Sequence, residues 1–153
     1  RDEETANIAV KAALTGHLVL STLHSSDAVT AIQRLLNLGI APDLLAETLT
    51  VIVSQRLVRR LCSHQNGNKS NPHTSDKNCL RCRGTGYSGR IPVYEILKVN
   101  SLVRDRIQAG DTGRKLIRPE PELYFHTMEQ TAQRLTKEGL TDWKEVQPLL
   151  LNV

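Results

Sequence analysis

Gly16-His17-Leu18-Val19-Leu20-Ser21-Thr22-Leu23-His24-Ser25-Ser26-Asp27-Ala28 decides how the rest of the chain is read. The apolar run Leu18 to Leu23 has little alternation, which predicts a central β-strand covered on both faces. It stops at His24, three polar residues follow, and a helical pattern begins at Ala28. A buried strand that delivers one histidine to a polar strand-to-helix turn is how open α/β sheets build ligand sites, at the carboxyl ends of their strands. Such a turn offers a side-chain donor and backbone N–H groups to an anion. A lone histidine is more often structural, but its place beside two serines and an aspartate argues for function.

The flanking sequence reads outward from that turn. Upstream, Asp2 can cap a helix over Glu3 to Leu14, with Glu3 and Glu4 in the first turn and Gly16 at its end. Downstream, Ser26 or Asp27 caps a helix from Ala28 to Leu38, ended by Gly39. Pro42 suits the start of a third helix reaching about Leu61, since Leu45, Leu49, Ile52, Val53, Leu57 and Leu61 follow helical spacing. Gln55, Arg56, Arg59 and Arg60 cluster near its end. Residues 63–78 contain almost nothing apolar and read as a loop. A Cys79-Leu80-Arg81-Cys82 knuckle follows. Arg90 to Lys98 reads as a strand and Ser101 to Ala109 as a helix ended by Gly110. Asp111 to Glu122, with Pro119 and Pro121, reads as a loop. Leu123 to Glu138 and Asp142 to Leu149 read as helices, the last weakened by Pro148. No internal repeat is visible.

Composition narrows the function. A chain of 153 residues holds one core or a core plus a small appendage. The net charge of +4 is too mild to imply nucleic acid, and the basic residues form no long run. Phosphates and lipid headgroups stay open as partners. No stretch approaches the about 18 consecutive apolar residues of a membrane span, and the charged start does not look like a signal peptide. The one methionine is Met128, so the chain opens in mid-motif and reads as a fragment or trimmed domain. Three cysteines, two of them as Cys79-x-x-Cys82, suggest a metal site in a reducing compartment rather than a disulfide framework.

The stretch RDEETANIAVKAALTGHLVLSTLHSSDA from Arg1 to Ala28 resembles the Walker B to histidine-box region of the type II secretion and type IV pilus assembly ATPases. Gln55-Arg56-Leu57-Val58-Arg59-Arg60-Leu61-Cys62 is similar to that family's Q-R-L…L-C segment. Gly86-Tyr87-Ser88-Gly89-Arg90 and Tyr94-Glu95-Ile96-Leu97 are similar to its G-Y-x-G-R…E-(I/V/L)-L segment. The likeness is strong up to Leu97 and looser afterwards, at Glu138-Gly139-Leu140-Thr141 and Glu145-Val146. It implies a cytoplasmic, homo-hexameric P-loop ATPase, peripheral at the inner membrane, that uses ATP and Mg2+ to drive a membrane-embedded platform protein. By that resemblance Arg1 and Asp2 are the tail of Walker B, and His24 is the histidine-box residue near the γ-phosphate. No G-x-x-x-x-G-K-(S/T) occurs, so the phosphate-cradling loop is absent and the chain alone is expected to be inactive. Arg56, Arg59, Arg60 and Arg90 are candidates for phosphate or inter-subunit contacts, because arginine stabilises phosphoryl charge in cis or in trans. The bland alternative is that most are surface or salt-bridge arginines. Glu95 is a candidate partner for one of them.

The family pattern also pairs two C-x-x-C halves around a zinc ion. Here the first half reads Cys62-Ser63-His64-Gln65, with glutamine, a poor ligand, at the second cysteine position. Zinc takes four ligands, mostly Cys and His, so Cys62, Cys79 and Cys82 with His64 or His73 form the candidate set. The alternative is a decayed site. The knuckle also resembles the zinc repeats of J-domain chaperones, which need several copies where this chain has one. Retraction motors usually lack the cysteine loop, so its remnant favours pilus extension or secretion.

The expected fold is α/β: the carboxyl-terminal part of a RecA-like P-loop ATPase domain over 1–61, a cysteine-containing loop over 62–90, and a strand plus helical region over 91–153. The competing class is a non-catalytic zinc or interaction module, or a degenerate paralogue. A Walker A motif encoded upstream of Arg1 would separate the two.

Overall fold

A computed structural model describes residues 2–63 and 79–151. Arg1, His64, Gln65 and His73 lie outside the described residues. The elements run α1 (Glu3–Leu14), α2 (Ala28–Asn37), α3 (Pro42–Thr48), β1 (Val51–Leu61), β2 (Tyr87–Lys98), α4 (Ser101–Gln108), a 3-10 helix (Gly113–Ile117), β3 (Phe125–His126), α5 (Met128–Lys137) and α6 (Trp143–Leu150). The chain is mixed α/β, and its strands lie in the order β1-β2-β3.

Two compact units are built from interleaved segments. The first comprises 1–54 and 95–126. Its core holds Val10, Ala28, Ile32, Leu45, Leu97, Val103, Ile107 and Leu116. Ile32, Leu45, Leu97 and Ile107 are fully buried, and burial of each such side chain contributes about 1.5–3 kcal/mol. Strand β3 pairs antiparallel with the end of β2, Ile96 opposite His126 and Leu97 opposite Phe125. The second unit comprises 55–94 and 127–153. Val58 of β1 and Val93 of β2 pack with Met128, Ala132, Leu135 and Val146 of α5 and α6.

Local signals explain most element ends. Asp2 caps α1 through Thr5 N–H at 2.8 Å, Asp27 caps α2, Asn100 caps α4, and Thr127 with Gln130 forms a capping box on α5. Gly39 closes α2 at φ +84° while its N–H donates to Leu36 and that of Ile40 to Leu35. Few side chains tolerate that left-handed conformation. Pro148 lies inside α6.

Three expectations are corrected. Residues Leu18 to Leu23 do not form a covered strand: the segment carries no strand pairing, and Leu18 and Leu20 are 89% and 88% exposed. A central strand needs hydrogen-bonded neighbours on both sides, and the described residues supply none here. The third helix stops at Thr48 and becomes β1. Thr50, Val51, Ile52 and Val53 are all β-branched and favour a strand. Apolar spacing there fitted a helix equally well, but Ser54 and Val58 are buried while Val51, Val53 and Leu57 are exposed. Helix α5 begins at Met128 rather than Leu123, because Phe125 and His126 are taken up in pairing with β2.

Candidate functional site

The His24 turn lies in the first unit. His24 is exposed, and the turn after it is held by an internal network. Asp27 Oδ1 accepts the Thr30 N–H at 2.7 Å, and its Oδ2 accepts the hydroxyls of Ser26 and Thr30, both at 2.7 Å. Burial pushes the Asp27 carboxyl up, but the hydrogen bonds from Ser26 and Thr30 outweigh it and hold the group below the usual carboxylate range. Ser54 Oγ on β1 donates to the Ser26 carbonyl at 3.1 Å. Glu95 on β2 is 3% exposed, and its Oε1 accepts the Ala28 N–H at 2.6 Å. The first turn of α2 is thus fixed from inside by one carboxylate and from outside by another. The braces act on Ser26 to Thr30, directly after His24.

Glu95 therefore sits at the α2 N-terminus, where the helix dipole favours negative charge. Neither Ser54 nor this use of Glu95 was legible from spacing, since both contacts join residues far apart in sequence. Asp2, the other described residue of the amino-terminal motif, is exposed and occupied as the α1 cap. The hydrogen bond from the Thr5 N–H lowers its carboxyl's pKa.

The second unit carries the arginines and cysteines. Arg59 is engaged within the unit: Nε donates to Glu145 Oε2 at 2.9 Å, Nη2 to Glu145 Oε1 at 2.5 Å, and the guanidinium lies 4.1 Å from the centroid of the Tyr87 ring. The fork lowers the Glu145 carboxyl, and Glu145 also accepts the Arg59 backbone N–H at 3.2 Å. Tyr87 donates to Asp142, the cap of α6. Burial, then that hydrogen bond and the Asp142 charge, push the Tyr87 hydroxyl up to about 12. Thr141 Oγ1 donates to the Arg59 carbonyl at 2.8 Å, and Leu61 N–H to the Leu140 carbonyl at 2.9 Å. Arg59 is thus a clasp between β1 and the α5–α6 pair. Arg56 and Arg60 are exposed on β1 rather than on a helix, and Arg90 is exposed on β2, on a strand as expected.

Cys62, Cys79 and Cys82 converge. Their three sulfurs lie within 4.8 Å of one another, and the Cys62 and Cys79 sulfurs are 3.9 Å apart. Tetrahedral zinc with bonds of about 2.3 Å sets its sulfurs about 3.8 Å apart, so the spacing fits. None of the three is in a disulfide among the described residues. The Cys62 N–H donates to the Gly86 carbonyl at 2.8 Å, locking the strand end to the knuckle. Gly84 and Gly86 take φ of +78° and +79° to make the turn. Hydrogen bonds from the Cys82 and Arg81 backbone lower the Cys79 thiol, which favours the thiolate that binds metal. The candidate fourth ligands, His64 and His73, lie outside the described residues.

The chain is 41% identical to "Type II secretion system protein E" of Klebsiella pneumoniae across 95% of its own length and 32% of the relative's. It is 37% identical to "Type IV pilus assembly ATPase PilB" of Thermus thermophilus, across 95% of this chain and 18% of that one. The chain thus spans a third or less of these relatives. Its structure is similar to that of the pilus retraction motor PilT with bound ADP (TM-score 0.68, 27% identity), covering 97% of this chain and 37% of that one. It also shares the fold of the Yersinia pseudotuberculosis ATPase DotB (TM-score 0.63, 24% identity), over 97% of this chain and 34% of that one. The family described as "Type II/IV secretion system protein" matches residues 1–148, and the chain belongs to it.

Proposed function

We propose that this chain is the carboxyl-terminal part of a motor ATPase that powers type IV pilus assembly or type II protein secretion. The observation that carries the reading is the family match across residues 1–148, which runs through the His24 turn. In this reading the domain is RecA-like. The bracing of α2 by Asp27 and Glu95 then holds His24 where it reads the γ-phosphate of ATP. Arg1 and Asp2 form the tail of Walker B, and Mg2+ neutralises phosphate charge when bound. The missing G-x-x-x-x-G-K-(S/T) leaves this chain inactive alone.

Arg56, Arg60 and Arg90 are exposed and are the candidates for nucleotide or inter-subunit contact in a homo-hexamer. Arg59 acts on its own unit. The cysteine cluster, with His64 or His73, holds zinc. The motor works in the cytoplasm against a platform protein of the inner membrane, with the retained cysteine cluster favouring extension or secretion.

The test uses the complete protein. His24→Ala lowers ATP turnover by about tenfold or more while nucleotide affinity changes little, the pattern of a contact made mainly in the transition state. Unchanged turnover in the assembled hexamer refutes the role of His24.

A further inference from the structure

The segment after α4 carries three cations that the proposed motor chemistry does not use. Arg114, Lys115 and Arg118 lie on and just after the 3-10 helix Gly113–Ile117, all exposed. With Asp111 and Pro119 they line a surface cavity of ≈ 500 Å³. Among the described residues, none of the three side chains makes a hydrogen bond or ion pair. Three like charges within five positions repel one another, and one half-buried carboxylate, Asp111, offsets only part of that.

The backbone beneath them is held in place. Arg106 is 5% exposed, and its Nη1 donates to the carbonyls of Leu116 at 3.1 Å and Arg118 at 2.9 Å. Its Nη2 pairs with Glu120. The Asp111 N–H donates back to the Arg106 carbonyl at 2.9 Å, and Leu116 is anchored in the core at 1% exposure. Arg106 therefore holds both ends of a loop whose cations line one basin, the first through its backbone carbonyl and the second through its buried guanidinium. Such an arrangement loses little backbone entropy when a polyanion arrives, because the loop is already ordered.

We propose that Arg114, Lys115 and Arg118 form a binding site for clustered phosphate groups, held ready by Arg106. The ligand chemistry is an oligophosphate or a phosphate-bearing surface, and the half-buried Asp111 beside the cations tempers their charge without cancelling it. This site is separate from the His24 turn and does not depend on the motor reading.

The experiment titrates the 153-residue chain at low salt with inorganic tripolyphosphate by calorimetry, and with phosphatidylglycerol or phosphatidylcholine vesicles by co-sedimentation. The variants are Arg114→Ala/Lys115→Ala/Arg118→Ala and a control removing equal charge elsewhere, Lys11→Ala/Arg34→Ala/Lys137→Ala. Tripolyphosphate binding that weakens about tenfold or more in the first variant and survives in the control supports a soluble phosphate ligand. The same contrast seen only with phosphatidylglycerol vesicles supports a lipid headgroup. His24→Ala leaves either binding intact, which separates this site from the proposed nucleotide contact. A glutamine triple variant, which keeps most of the side-chain length, reads the same loss if the alanine variant folds poorly. No binding of either probe, or equal weakening in the control, overturns the site.

Discussion

Glu95 Oε1 accepts the backbone N–H of Ala28 at 2.6 Å, joining β2 to the first turn of α2 across 67 positions of sequence. The carboxylate is buried and faces a helix start, so it satisfies a donor that α2 itself leaves open. It ties the start of α2, just after the His24 turn, to β2.

Glu95→Ala removes that acceptor and leaves a buried N–H without this partner. The expected cost is about 1–3 kcal/mol of stability, read by urea unfolding. Glu95→Gln keeps an acceptor oxygen without the charge and costs less. Equal stability of wild type and Glu95→Ala would mean that the contact is not part of the folded state in solution.

Tyr87 makes the second prediction. Its hydroxyl is pushed up to about 12 from an ordinary 10.0, so the folded state favours the neutral phenol. A raised value contributes stability that is fully present below pH 10.0 and is lost as pH rises through about 12. Ultraviolet titration should show one of the three tyrosines ionising late, and the alkaline loss of stability should vanish in Tyr87→Phe. A uniform titration near pH 10.0 in the folded chain would contradict the Asp142 contact.

Asp27 works in the opposite direction. Its hydrogen bonds hold it below the ordinary 3.8, so its contribution is full above that pH and is lost as pH falls through the lower folded value. Asp27→Ala is expected to destabilise the chain by about 0.5–2 kcal/mol at neutral pH, the usual cost of losing an N-cap. Acid unfolding of the variant should then show a shallower pH dependence than that of the wild type. A variant with unchanged stability at neutral pH would show that Thr30 and Ser26 do not depend on this carboxylate.

These residues also show what sequence alone can carry. The ends of α1, α2 and α4 were legible because caps and closing glycines are local signals: Asp2, Asp27, Gly39 and Gly110 each act within a few positions. The family was legible because its motifs are dense around His24 and Gln55-Arg56-Leu57. The switch at Thr50 was not, because Leu49, Ile52, Val53 and Leu57 fit a helix as well as a strand. The apolar Leu18 to Leu23 run reads as a covered strand, but covering depends on neighbours, which periodicity does not reveal. Glu95 with Ala28, and Arg59 with Glu145 and Tyr87, were hidden for the same reason: each contact spans tens of residues and exists only once the strands pair.

The cysteine cluster gives the last prediction. Three sulfurs within 4.8 Å of one another, two of the cysteines buried and one with a lowered thiol pKa, make three converging ligands of a kind zinc takes. The chain purified under reducing conditions is expected to carry about one zinc per chain, measured by elemental analysis, and Cys82→Ser to carry much less. His64→Ala and His73→Ala, made separately, then identify the fourth ligand by which of them releases the metal. Because the Cys62 N–H is bonded to the Gly86 carbonyl, metal loss should also loosen the junction between β1 and the knuckle. Chelation is therefore expected to speed proteolysis near Cys62 and Cys79, whereas a chain that holds no zinc under reducing conditions and is cleaved at the same rate with or without chelator would refute the metal reading and leave the three thiols a packed but unligated cluster.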